Sequence, residues 1–336
     1  MLGTKPVVLF VFKRLDTVKM IVDVVKQYQP VCIYVFADGA RKDVEGEIDA
    51  VNGVRDYITE AFDWECDKRF FFAENNKGCD KNIRDGLDKV FSEQDSAIIL
   101  EDDAIPTLQY FTFCDFLLNK YRDTRSIQFI AGFNSIGDLD LIKNSYSFGK
   151  TVPLNGAYAT WADRWNECDF DMKNWPLEKK NRMLDEIFFF KELRKQYYRI
   201  YDAAYSKELT AWDYLFEHDM LSRDGLAVVP RINLVTSYGF VEGAYHPQRS
   251  SETKRFKKIM TAPKTDEQLL LDDNYEVVRN YIYDKTRQKL IMELKGNYLE
   301  RRMMGVYLTI KEFAYDHLSE NTWNFFKKIV TPVKKR

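Results

Sequence analysis

Two hydrophobic patterns alternate through the first hundred residues. Continuous apolar, β-branched runs occur at VVLFVF (7–12), VCIYVFA (31–37) and SAIIL (96–100), with RFFFAE (69–74) as a fourth. Runs without alternation are what strands buried on both faces require. Between them the spacing becomes helical. Val18, Ile21, Val22 and Val25 share a face behind Asp16, which is placed to cap them. Ile83, Leu87 and Val90 share a face in KNIRDGLDKVF (81–91), and a polar helical stretch fills 43–60. This rhythm predicts an α/β fold: a mostly parallel central sheet flanked by helices.

Beyond residue 105 the pattern loosens. IQFIAGF (127–133) and LAVVP (226–230) read as strands, and 134–150 as a polar loop. Trp161 and Trp165 stand at i,i+4 and share a face if GAYATWADRW is helical. A charge-rich helical region spans 177–206. LTAWDYLFEHDMLSRDG (209–225) is a further helix, closing at Gly225, with His218 on its surface. Residues 264–336 read as helical.

Ligands of such sheets gather outside the carboxyl ends of the strands. Those ends carry Lys13-Arg14, Asp38-Gly39, Asn75-Asn76-Lys77-Gly78 and Glu101-Asp102-Asp103. The last is the anomaly, because three consecutive carboxylates repel one another and partial burial strengthens the repulsion. A divalent cation would neutralise them. Mg²⁺ and Mn²⁺ take oxygen ligands and are often held by one or two carboxylates plus substrate phosphates. The competing explanation is that the acids cap the helix starting near Pro106, where negative charge is favourable.

Composition narrows the field. With 336 residues, 45% hydrophobic and 30% charged, the chain is globular. A net charge of -2 gives no bulk attraction to nucleic acid. Five cysteines without a CxxC read as reduced, mostly buried thiols of a cytosolic protein. No segment is long enough to span a bilayer. Neither GxGxxG nor GxxxxGK[ST] occurs, which argues against dinucleotide and P-loop folds.

The motifs VVLFVFKR, VFADG, NKGCDKNIRDGLDKVF, AIILEDDAIPTLQYFTFCDFLL, GAYATWADRW and NLVTSYGFVEGAYH together resemble GT-A glycosyltransferases over residues 5–250. The similarity is greatest to the bacterial hemolytic-protein-like sugar transferase group, itself related to N-acetylglucosaminyltransferase I. It implies a GT-A (Rossmann-like) catalytic domain at 1–255, with a nucleotide-binding half at 1–105 and an acceptor half at 106–255. Residues 256–336 are then a helical C-terminal extension. It also implies a sugar transferred from a nucleotide-sugar, a UDP-sugar, with Mn²⁺ or Mg²⁺, to a glycan or lipid-linked acceptor in surface polysaccharide or glycoconjugate synthesis. The alternatives are a sugar nucleotidyltransferase, whose Gly-rich signature is missing near the first strand, and a non-catalytic nucleotide-sugar-binding module.

Residue by residue, the resemblance makes EDD the DxD-like element. Asp103 would be the metal ligand, Asp102 would contact the ribose side and Glu101 the donor sugar. Arg14, Asp38, Lys77 and Asn82 would complete the donor site. The related eukaryotic enzyme has a His at the position of Asn82, which leaves the base less secure. Gly156 lets chain and ligand approach closely. Trp161 and Trp212 would stack on sugar, or else pack the core. Trp212-Asp213 matches the pair that carries the base of an inverting transfer, which removes the acceptor hydroxyl proton; Glu217, one turn on, is the reserve. His246 lies in a glycine-containing loop suited to close over the diphosphate and add a metal ligand. The end of the chain, NTWNFFKKIVTPVKKR, mixes basic and aromatic residues. Such a segment suits the inner face of an anionic membrane, or equally a helix packed on the domain.

Overall fold

The computed structural model describes residues 3–136, 141–154, 156–238, 268–271 and 275–294. The chain divides into two compact units, Met1–Leu290 and Ile291–Arg336. The elements below lie in the first, apart from the last turn of the final helix. An eight-stranded sheet runs in the order β3-β2-β1-β4-β8-β6-β9-β7. Its first half is parallel, as the apolar runs predict: β1 (Val7–Val11), β2 (Cys32–Ala37), β3 (Asp67–Phe72) and β4 (Ser96–Glu101). Between them come α1 (Leu15–Tyr28), α2 (Glu47–Ala61) and α3 (Cys79–Phe91).

Three local expectations need correction. Asp16 lies inside the first turn of α1; the cap position is Arg14, which makes no capping side-chain bond. The polar stretch 134–150 contains the short edge strand β7 (Tyr146–Gly149), whose four residues are too few to show a period. In GAYATWADRW, β8 (Ala157–Trp161) is a strand and α5 (Ala162–Asn166) a one-turn helix, so Trp161 and Trp165 lie on different elements.

The sheet's second half is mixed. β8 runs antiparallel to both β4 and β6 (Ile127–Ala131), while β9 (Leu226–Pro230) is parallel to β6 and antiparallel to β7. After β4 the chain turns into β5 (Ala104–Pro106), which leaves the main sheet and pairs with β10 (Val235–Ser237). Then α4 (Leu108–Lys120) begins. Its cap is Thr107, whose hydroxyl accepts from Tyr110 N at 3.1 Å and donates to Leu234 O at 3.0 Å. Helix capping therefore does not account for the acidic triplet.

Val7, Leu9, Val11, Val35, Ile98, Leu100 and Ala159 face one way and pack against α1, α2 and α4. The opposite face carries Phe10, Phe36 and Ile99 and is covered by α3. A Cβ on Gly86 would meet the Phe10 ring at 2.6 Å, so glycine is what lets α3 lie this close. Among the described residues the remaining helices are α6 (Trp175–Lys180), α7 (Leu184–Ile187), α8 (Lys191–Tyr205), α9 (Trp212–Ser222) and α10 (Tyr281–Leu294). The helix within the expected extension, α10, returns to the sheet edge, where Asp284 accepts from Lys150 N, Thr151 N and Thr151 Oγ1. Among the described residues no helix is long and apolar enough to cross a membrane.

The Thr107 cap is open to test. Thr107→Ala is expected to lower stability by about 1 kcal/mol, the usual loss of a capping hydroxyl, seen as a lower urea midpoint at unchanged slope.

Candidate active site

Strand alternation splits the acidic triplet. Glu101, the last residue of β4, shares its face with Ile99, and Ile99 pairs with Tyr158 of β8. Asp102 turns the other way. Its carboxylate accepts from Phe12 N at 3.1 Å and from Arg14 Nη1 at 2.5 Å. The same guanidinium nitrogen reaches Asp103 at 3.5 Å. Asp102 is buried, whereas the Asp103 side chain is 24% exposed and available to a ligand. Asp103 is fixed through its backbone, since its carbonyl accepts from Tyr238 N at 2.7 Å.

Gly156 sits against this turn, with its carbonyl accepting from Glu101 N at 2.7 Å. A Cβ there would lie 3.0 Å from Glu101 Cβ and 3.3 Å from Asp103 Oδ1. The glycine thus leaves the carboxylates room. Lys13, neighbouring Arg14, is engaged elsewhere by Glu47, which also pairs with Arg41.

Asp213 approaches from the far side of the fold. Asp80, in the first turn of α3, accepts from Trp212 N at 2.5 Å and so ties the start of α9 to the start of α3. The rest of α9 is buried almost all round, including Glu217, His218 and Asp219. Each of these has a partner: Glu217 accepts from Tyr201 Oη at 3.3 Å, His218 Nε2 meets Glu178 at 2.7 Å, and Asp219 binds Arg223 Nε at 2.7 Å. Placing His218 on the surface is therefore wrong; it is 2% exposed, because α9 lies between α8 and the sheet. Asp213, in the first turn, is half-buried.

Charge and burial make the site electrostatically taut. Burial pushes Glu101 up to about 8, and the charges of Asp103, Asp102 and Asp213 push the same way while Arg14 opposes them. Burial also raises Asp102 against the pull of Arg14. Asp213 is raised, first by burial and also by Asp80, while the N–H groups at the start of α9 draw it back. Glu217 is raised to about 7 by burial, with Arg287 opposing. The Tyr158 hydroxyl, buried on the Glu101 face, makes no hydrogen bond, and its ring packs 5.5 Å from that of Trp212.

The other expected residues are placed unevenly. Asp38 is buried and its carboxylate is saturated by the N–H groups of Gly39, Lys77 and Gly78 and by Asn76 Nδ2, at 2.8–3.1 Å. It therefore organises the loop 75–78. Lys77 Nζ pairs with Asp85 at 2.9 Å, and Asn82 is buried on α3. Trp161 is not brought to the site. β8 runs antiparallel to β4, so Trp161 lies opposite Ser96, at the other end of the strand from Glu101; its Nε1 donates to Leu118 O. Trp212 is 6% exposed and serves as packing behind Asp213. His246 lies outside the described residues. Sequence reasoning missed Asp80 and Tyr158: a helix-tethering acid has no local signature, but the alternation of β8 places Tyr158 opposite Ile99. The five thiols are free; Cys32 and Cys114 are buried and Cys79 is exposed, so burial is less general than expected.

Among the described residues, no group of three or more His, Cys, Asp or Glu side chains is arranged to hold a metal ion by itself. The oxygen donors here still fit a Mg²⁺ or Mn²⁺ ion that takes most of its ligands from phosphate and water. Glu101 is raised first by burial and then by the neighbouring carboxylates, and a cation would relieve the second of these. The chain matches no protein-family model and no curated protein in sequence.

Because the folded state holds Glu101 above its ordinary value of 4.5, its contribution is most favourable below that value and declines as pH rises through about 8. Glu101→Gln is therefore expected to raise Tm at pH 8 by about 2 °C or more, and by less at pH 5, in metal-free buffer. An equal change at both pH values would refute the electrostatic origin.

Proposed function

We propose that the chain is a GT-A-type glycosyltransferase that moves a sugar from a nucleotide-sugar, a UDP-sugar, to a glycan or lipid-linked acceptor with inversion. The observation that carries this reading is the meeting of two acidic elements distant in sequence. Asp213 contributes to the raised pKa of Glu101, while Arg14 braces Asp102 and Asp103 from behind.

Placement supports the following roles. Arg14, with cationic charge at the mouth of β1, would attract the donor diphosphate. Asp103, the more exposed acid of the turn, would hold the divalent cation, with Asp102 as its braced neighbour. When bound, Mn²⁺ or Mg²⁺ supplies positive charge that stabilises the leaving diphosphate. Glu101 would meet the sugar side of the donor, on the face shared with Tyr158. Asp213 would accept the proton of the acceptor hydroxyl as its oxygen attacks the anomeric carbon. Burial raises its pKa, which makes it a stronger base than an ordinary carboxylate. Glu217 is enclosed, so Asp213 is the better placed of the two.

Asp103→Ala should weaken Mn²⁺-dependent UDP binding at least tenfold in isothermal titration. Asp213→Asn should leave that binding within about twofold while transfer falls by about 10²–10⁴, the usual range for a general base. Retained transfer in Asp213→Asn would move the base elsewhere, and binding without transfer in the unaltered chain would favour a nucleotide-sugar-binding module.

A further inference from the structure

A second charged cluster lies away from the acidic site and has the opposite sign. A cleft of about 510 Å³ is walled by Lys179 of α6, Arg182, and Lys191, Arg194 and Lys195 of α8, with Tyr198 beside them. Asp185 of α7 is the one carboxylate in its lining. Five cations against one anion is a concentrated positive field in a chain whose net charge is -2.

Internal pairing absorbs this charge only in part. Lys179 is held by Asp202 at 2.8 Å. Arg182 and Arg194 share Asp185, at 2.5 and 3.5 Å. Among the described residues no acidic group pairs with Lys191 or Lys195, and both are exposed. The Nε of Arg194 is buried and has no hydrogen-bond acceptor. A concave wall of like charges focuses its field outward and raises the local concentration of counter-ions. Arginine forks and lysine ammonium groups are the usual recognition elements for phosphate oxygens.

The cleft is distinct from the face that carries Asp213. Leu193, Tyr197 and Tyr201 form the buried side of α8, and Tyr197 and Tyr201 pack on Tyr214 and His218 of α9. The cationic residues of α8 project from another side of the helix. The volume suits a molecule of nucleotide or sugar-phosphate size.

We propose that this α6–α8 cleft is a binding site for a phosphate ester carrying two or more negative charges. The exposed ammonium groups of Lys191 and Lys195 supply the donors, beside the Arg194 side chain that lines the same cleft. The chemistry is shared by a soluble phosphate ester and by the headgroup of an anionic lipid. The inference does not depend on the glycosyltransferase reading.

The test uses the full chain in EDTA, so that no divalent cation carries diphosphate to the acidic site. Inorganic pyrophosphate is titrated calorimetrically at low and high salt. In parallel, the chain is sedimented with vesicles of neutral phosphatidylcholine and with vesicles containing 30% phosphatidylglycerol as a chosen composition. The expected result is salt-sensitive binding of at least one anionic probe, weakened at least tenfold in Lys191→Glu/Lys195→Glu. Both side chains are exposed, so the double variant should fold, and an unchanged Tm confirms that. Pyrophosphate binding alone assigns a soluble ester, and vesicle binding alone assigns a lipid headgroup. Binding of neither probe, or binding untouched by the double substitution, overturns the proposal.

Discussion

Burial of carboxylates beside one another at the end of β4 is the constraint around which this half of the molecule is arranged. Asp102 is stabilised by Arg14 and a backbone N–H, Asp103 is left partly exposed, and Glu101 is held up to about 8, first by burial and then by the charges of Asp103, Asp102 and Asp213. The fold holds this arrangement rigidly. β4 is hydrogen-bonded on both edges, and the β5–β10 ribbon catches the chain immediately after the turn. A stability-first sequence would not place three acids there, since burying like charges without a counter-ion works against folding.

The opposite wall is built on a different principle. α9 is a buried helix carrying three consecutive polar residues, each bonded to another segment: Glu217 to Tyr201, His218 through Nε2 to Glu178, and Asp219 to the N–H of Asp169. Those pairings fix its rotation and depth, and Asp80 fixes its first turn. Asp213 is thereby held half-buried in the first turn of the helix. Precision in the position of a single carboxylate is what such a network provides, and a general base requires it.

The sequence makes the strand ends legible because continuous apolar runs locate buried strands and whatever follows them must lie at the sheet's carboxyl edge. Arg14, Asp38 and the triplet are found that way. The mixed second half is less legible: β7 and β8 are short, and YSFG and AYATW carry no clear period. Trp161 illustrates the consequence, since the resemblance assigns it to the sugar whereas the antiparallel strand β8 carries it to the far end of β4. The saturation of Asp38 by loop N–H groups and the Asp80–Trp212 tether are tertiary, and nothing local in ADG or GCDK announces them. The cationic cleft is visible in sequence only as a charge-rich helical stretch; the concavity that gathers its charges arises when α6, α7 and α8 pack.

The central claim is that the acidic turn exists to meet a cation carrying a nucleoside diphosphate. Anomalous diffraction from a crystal grown with Mn²⁺ and UDP tests it most directly. The account predicts a manganese peak within coordination distance of an Asp103 oxygen and bridged to the diphosphate. A nucleotide bound elsewhere, or a peak remote from residues 101–103, would contradict it.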